Sequence, residues 1–105
     1  MPLDIIEKYI RKDPEDIHQP KTALITYENA DSDGQVRSLE YMKNVRELAD
    51  KYHLPIHLDG ARIFNAATVL GVEAKEIAQY ADSVSVCLSK GLCAPVGSVL
   101  VGSKE

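Results

Sequence analysis

Three short runs of apolar and β-branched residues, at 22–27, 55–58 and 82–88, alternate with two stretches of helical periodicity. This alternation constrains the fold more than any other feature. A short apolar run bounded by turn residues reads as a strand, and apolar residues spaced at three and four read as a helix face. From Leu39 to Tyr52 the apolar positions are Leu39, Met42, Val45, Leu48, Ala49 and Tyr52, with charged residues between them and Ser38 placed to cap the start. Ala61 to Leu70 predicts a second helix stopped by Gly71, and Val72 to Tyr80 a shorter third one. Strand, helix, strand, helix, strand predicts an α/β domain with a mostly parallel sheet. Val96 to Val101 predicts a further strand turning back beside the third. Ahead of the sheet, Leu3 to Ile10 predicts a helix that stops before Pro14, followed by a polar loop from Lys12 to Pro20. A parallel sheet needs both faces covered, so a piece of this size is expected to leave apolar surface exposed.

The 105 residues suit one domain, and a hydrophobic content of 45% is ordinary for a globular chain. A formal charge of -4 and the absence of a Lys/Arg block argue against nucleic acid. No apolar stretch approaches the ~20 residues of a membrane helix, and the charged start, with Asp4, Glu7 and Lys8, does not read as a secretory signal. Cys87 and Cys93 are too few for a disulfide framework and lack zinc spacing, so a reducing, cytoplasmic setting is expected.

The chemistry concentrates where strands end. Lys90 follows the third strand in Ser89-Lys90-Gly91-Leu92, ahead of Ala94-Pro95-Val96-Gly97-Ser98. A lone lysine there is ordinarily a solvated surface residue, but the Gly/Pro turn lets backbone approach something bound. A lysine amine is a covalent catalyst because it condenses with an aldehyde to form a Schiff base. Asp59 ends the second strand in His57-Leu58-Asp59-Gly60-Ala61-Arg62. It either makes an Asp-Gly turn and caps the next helix, or holds the ring nitrogen of pyridoxal phosphate (PLP), which lets the ring accept electrons. Arg62, three residues on, suits a carboxylate, a phosphate or a phenolic oxygen, or else is a helix-surface arginine. His57 shares a strand face with Asp59 and could hydrogen-bond it; with no third ligand the pair is weak evidence for a metal, and no metal site is assigned. Ser89 could donate to a phosphate, and Glu28 and Asn29, just past the first strand, could line the same cleft on its substrate side. In parallel sheets ligands sit beyond the carboxyl ends of the strands, where Glu28, Asp59 and Lys90 all fall.

The segments His57-Leu58-Asp59-Gly60-Ala61-Arg62-Ile63-Phe64-Asn65-Ala66 and Asp82 to Leu92, with Ala94-Pro95-Val96-Gly97-Ser98, resemble the Asp-Gly-Ala-Arg and lysine-bearing segments of threonine aldolases. The resemblance covers nearly the whole chain but only the middle of the family's large domain. It implies the aspartate-aminotransferase-like fold of PLP enzymes, and a lyase that cleaves threonine or allo-threonine to glycine and acetaldehyde. It implies Lys90 as the Schiff-base lysine, Asp59 as the ring-nitrogen partner and Arg62 as a contact to cofactor or substrate carboxylate, in a protein that forms homo-oligomers. The chain departs from the family pattern in three places. The loop from Glu28 to Gln35 is short and lacks a threonine and one glycine of the family. Cys93 stands where the family usually has glycine, a strained choice if that position has positive φ. The family's N-terminal phosphate loop, ring-stacking histidine and small domain have no match. These departures keep open a second reading, a truncated and catalytically silent relative that acts by association with a full-length partner.

Overall fold

The computed structural model describes residues 1–13, 15 and 17–103. In chain order the elements are α1 (Leu3–Tyr9), β1 (Ile25–Glu28), α2 (Leu39–Lys51), β2 (Ile56–Asp59), α3 (Ile63–Leu70), α4 (Ala74–Ala78), β3 (Ser83–Cys87) and β4 (Ser98–Gly102). They build one sheet of order β1-β2-β3-β4. β1, β2 and β3 run parallel, and β4 returns antiparallel to β3. The mostly parallel α/β architecture expected from the sequence is therefore the observed one. α1 ends at Tyr9, ahead of Pro14, which itself lies outside the described residues.

Local signals set the helix ends. The Ser38 hydroxyl accepts from the Tyr41 amide at 3.1 Å, satisfying one of the free donors of α2. Gly71 closes α3 at φ 67°, where a side chain would be strained. α4 starts with a capping box between Glu73 and Glu76, whose carboxylate accepts from the Glu73 amide at 2.8 Å.

The core lies on one side of the sheet. Leu58 and Val84 pack with Met42 of α2, with Ile63, Ala66 and Ala67 of α3, and with Ile77 of α4. Ile25 and Ile56 pack with Val45, Ala49 and Leu54. Strands laid down consecutively in one direction, joined by crossovers of one hand, put both helical connections on the same face. Pairing then aligns the opposite face: Thr26, His57 and Ser83 form one row across it, and Glu28, Asp59 and Ser85 the next. That face is polar across the parallel strands, so the expected apolar exposure falls elsewhere, on β4, where Val99, Leu100 and Val101 are 44%, 71% and 52% exposed.

A charged knot ties the amino ends of β2 and β3 to α2. The Asp82 carboxylate accepts from the Ile56 amide at 2.7 Å and from Arg46 at 2.8 Å. Arg46 also donates to the Leu54 carbonyl at 3.0 Å and pairs with Asp50 at 2.7 Å. The Ile56 amide, followed by the Arg46 guanidinium, holds the Asp82 carboxyl below the usual carboxylate range. No helix among the described residues is long and apolar enough to cross a membrane.

Candidate active site

The row Glu28–Asp59–Ser85 crosses the polar face at the carboxyl ends of the three parallel strands. Asp59 Oδ1 accepts from the Ala61 amide at 3.0 Å and lies 3.5 Å from Ser85 Oγ. The bond to Ala61 is the tight Asx turn that Asp-Gly favours. It does not cap α3, whose N-cap is Arg62 with no side-chain bond. One carboxylate oxygen is thus committed to the protein, and no described residue donates to Oδ2.

Gly60 allows this turn to sit against β3. Its amide donates to the Ser85 carbonyl at 2.8 Å. A Cβ at position 60 would stand 2.8 Å from Val84 Cγ1 and 2.9 Å from that same carbonyl oxygen. Arg62, next past the turn, donates from Nη1 to Glu28 Oε1 at 3.3 Å, with both side chains partly exposed. That bond spans the strands and uses one of the five donors of the guanidinium.

Lys90 lies beyond β3 in a compact turn. The Cys93 amide donates to the Lys90 carbonyl, the Ala94 amide to the Leu88 carbonyl, and the Leu88 amide to the Gly97 carbonyl, each at 2.9 Å. Lys90 and Ser89 are exposed, and no described residue forms an ion pair or side-chain hydrogen bond with the Lys90 amine. Cys93 has φ 57°, so the position where the resembled family carries glycine does require the left-handed region.

Two residues read from the sequence take other partners. His57 Nδ1 lies 2.8 Å from Ser83 Oγ, one row toward the amino ends, and does not bond Asp59. Successive residues on one strand face are about 7 Å apart, too far for a direct bond, whereas the facing residue on the next strand is close. Asn29 is fully buried. Its amide donates to the Arg37 carbonyl at 3.1 Å and to Met42 Sδ at 3.4 Å, and its Oδ1 accepts from the Arg37 amide at 3.0 Å. Asn29 therefore anchors the loop after β1 from inside, while Glu28 faces the open side. Ser85 and Ser83 were not anticipated. Their signal was the strict alternation in Ser83-Val84-Ser85-Val86, which puts hydroxyls on the polar face. A separate cavity of about 530 Å³ lies between α1, β1 and α2, lined by Ile6, Tyr9, Leu24, Tyr27, Glu28 and Tyr41 among others. It shares Glu28 with the polar row but includes none of Asp59, Arg62 and Lys90, which lie on the open surface beyond it.

The beta-eliminating lyase family profile matches residues 1–105. The chain belongs to the beta-eliminating lyase family. It is 53% identical over 107 residues to a protein of Arabidopsis thaliana named probable low-specificity L-threonine aldolase 2, covering 100% of this chain and 30% of that protein. It is 48% identical over 105 residues to the low specificity L-threonine aldolase of Escherichia coli K12, covering 100% of this chain and 31% of the relative. The chain thus spans about 30% of the length of these relatives. Among solved structures, a chain from Exiguobacterium sp. 255-15 superposes with a TM-score of 0.80 at 26% identity, over 97% of this chain and 27% of that one. The threonine aldolase of Leishmania major superposes with a TM-score of 0.78 at 21% identity, over 92% of this chain and 28% of that one, a likeness of fold.

Proposed function

We propose that residues 1–105 are the central part of the cofactor-binding large domain of a PLP-dependent lyase of the threonine aldolase type, which cleaves threonine or allo-threonine to glycine and acetaldehyde. The observation that carries this reading is the state of Asp59: Oδ1 accepts from Ala61 and lies 3.5 Å from Ser85 Oγ, and no donor among the described residues reaches Oδ2 on the open polar face. A carboxylate oriented through one oxygen with the other unpaired suits a protonated ring nitrogen. Lys90, past the end of the neighbouring strand and without a side-chain partner among the described residues, suits the cofactor's aldehyde carbon. The donor set fits pyridine nitrogen and aldehyde together, and Ser89 is the hydroxyl beside Lys90 that suits the phosphate.

In this reading Asp59 keeps the proton on the ring nitrogen. When bound, the cofactor supplies an electron sink for the bond cleaved beside the amino carbon. Ser85 and the Ala61 amide prevent the Asp59 carboxylate from rotating. Glu28 accepts one N–H hydrogen bond from Arg62 and orients the guanidinium, leaving its other donors for a substrate carboxylate or the cofactor's phenolic oxygen. His57, tied to Ser83 through Nδ1 on the same polar face, lies one row below Asp59 and lines the floor on which the cofactor ring would rest. The substrates are small amino acids, and the homo-oligomer of the resembled family is the expected assembly.

The test is titration of the purified protein with PLP beside Lys90→Ala, followed by a threonine cleavage assay. A new absorbance band in the unmutated protein that is absent from the variant supports the reading, and identical spectra overturn it. A second reading, a silent chain that works by associating with a longer partner, is favoured by the exposed apolar β4. Glycine production from threonine by this chain alone would overturn that one.

A further inference from the structure

The chain carries two Asp-Gly pairs, Asp33-Gly34 in the loop between β1 and α2 and Asp59-Gly60 at the end of β2. We propose that Asp33 is a site of spontaneous covalent modification, its conversion to isoaspartate through a cyclic imide, and that the fold shields Asp59 from the same reaction. A glycine after the aspartate presents a backbone nitrogen with no side chain to hinder attack. At the first pair the Gly34 nitrogen attacks Asp33 Cγ. An N–C bond forms, and the hydroxyl of the carboxylic acid leaves with the amide hydrogen as water. Water then opens the imide at either of its carbonyls. One opening restores aspartate. The other gives isoaspartate, in which the main chain runs through Cβ and Cγ and the mass is unchanged. Water is the only other reactant.

The two pairs sit in opposite surroundings. Asp33 and Gly34 are both exposed. No described residue hydrogen-bonds or ion-pairs with the Asp33 carboxylate, and a Cβ built on Gly34 would meet nothing within 4 Å. The Gly34 amide donates to the Asp31 carbonyl at 3.0 Å, a bond inside one exposed turn that opens without disturbing the sheet. Gly60, by contrast, is buried, and its amide donates to the Ser85 carbonyl at 2.8 Å. Asp59 Oδ1 accepts from the Ala61 amide at 3.0 Å, which holds the carboxyl on the nitrogen beyond Gly60. Val84 and Ser85 fill the space beside Gly60. Closing an imide there requires β2 to leave β3. Isomerisation at residue 33 has a bounded effect. It inserts one carbon into a span closed by the Asp31 amide on the Gln35 carbonyl at 3.0 Å and by the Gln35 amide on Asp31 Oδ1 at 2.9 Å. Those bonds lose their register. The buried Asn29 side chain bonds the Arg37 backbone outside that span, so the change stops short of Glu28.

The experiment ages the full chain at neutral pH and physiological temperature, folded and in urea, until the unfolded sample carries isoaspartate at both pairs. An isoaspartyl methyltransferase with a labelled methyl donor counts the modified residues, and electron-transfer fragmentation of the peptides assigns them. In the folded protein residue 33 is expected to convert at least about tenfold faster than residue 59, because local opening is far more frequent than opening of the sheet. In urea the two rates should converge, since the local sequence chemistry is the same. Asp33→Glu keeps the charge but closes a larger ring much more slowly, and should remove the folded-state signal. Hydrogen exchange of the aged protein should quicken at the Gln35 amide and stay unchanged at the Arg37 amide. Equal rates at residues 33 and 59 in the folded protein overturn the proposal. So does a folded protein that stays unmodified at residue 33 while the unfolded one converts.

Discussion

Gly60→Ala is the substitution for which the structure specifies both the cost and its cause. The new methyl group would stand 2.8 Å from Val84 Cγ1, 2.9 Å from the Ser85 carbonyl oxygen and 3.3 Å from Ile63 Cβ. None of these can give way easily. Val84 is β-branched, buried and stiff at χ1. The Ser85 oxygen is backbone and already accepts from the Gly60 amide at 2.8 Å. The end of β2 must therefore move off β3. Overpacking of this kind costs about 1–3 kcal/mol. Alanine returns about 0.4–1 kcal/mol by restricting the unfolded chain, since residue 60 has no positive φ to forbid it. The net loss is about 1–2 kcal/mol, or roughly 5–15 °C in Tm for a domain of this size. The movement also separates Asp59 from Ser85, so PLP capture by Lys90 should fall in the same variant. Gly71→Ala is the control. Its φ of 67° makes alanine cost about 1 kcal/mol through the backbone alone, with nothing within 4 Å of the new methyl and no link to the site. Urea and thermal unfolding of both variants, beside PLP trapping, separate the two causes. A Gly60→Ala protein as stable as the unmutated one would refute the clearance argument, as would a loss of PLP capture in Gly71→Ala of the same size.

Three further outcomes are expected. Cys93→Gly should raise stability by about 1 kcal/mol in urea unfolding, because φ 57° carries a Cβ penalty that glycine lacks; a fall in stability would mean the Cys93 side chain packs favourably. Asp82→Asn should cost about 1 kcal/mol through the weakened bonds to Ile56 and Arg46. Because the folded Asp82 carboxyl is held low, its contribution is present above the unfolded carboxylate range and is lost as pH falls through the folded value. An acid unfolding midpoint that does not move in the variant would refute this. Burial, and after it Tyr41, pushes the Tyr27 phenol from 10.0 up to about 12. Stability should therefore be full below pH 10 and decline as pH rises toward about 12, a decline that Tyr27→Phe removes. The Tyr27 hydroxyl is buried with no partner among the described residues, so at neutral pH the same variant should be neutral or slightly stabilising.

What could be read from the sequence was whatever depends on neighbours along the chain. Ser38 and Gly71 act on amides and carbonyls within a turn of themselves, and the helix faces follow from spacing, so both helix ends and core positions such as Met42, Val45 and Ala49 were legible. Strand ends were legible too, which placed Glu28, Asp59 and Lys90 at one end of the sheet. What depends on register was not. The Arg62–Glu28 bond joins residues 34 apart, and Ser85 reaches Asp59 across 26 residues. His57 to Ser83 is a pairing that only the alignment of β2 with β3 decides.

The two glycines flanking the candidate chemistry show the same division. Position 93 could be judged from local conformation, because a family glycine with positive φ strains any replacement wherever it sits. Gly60 and Gly91 carry no such conformational mark. Gly60 is small because residues distant in sequence, Val84 and Ser85, occupy the space beside it, whereas Gly91 faces only the end of the exposed Asn65 side chain, which can turn away. Turn chemistry would have read Asp59-Gly60 and Lys90-Gly91 as two ordinary turns, each permissive of alanine. Packing makes Gly60 the point where the Asp59 turn is pressed against fixed neighbours. A carboxylate at the last residue of a strand needs that kind of restraint to be held within the fraction of an ångström that chemistry requires.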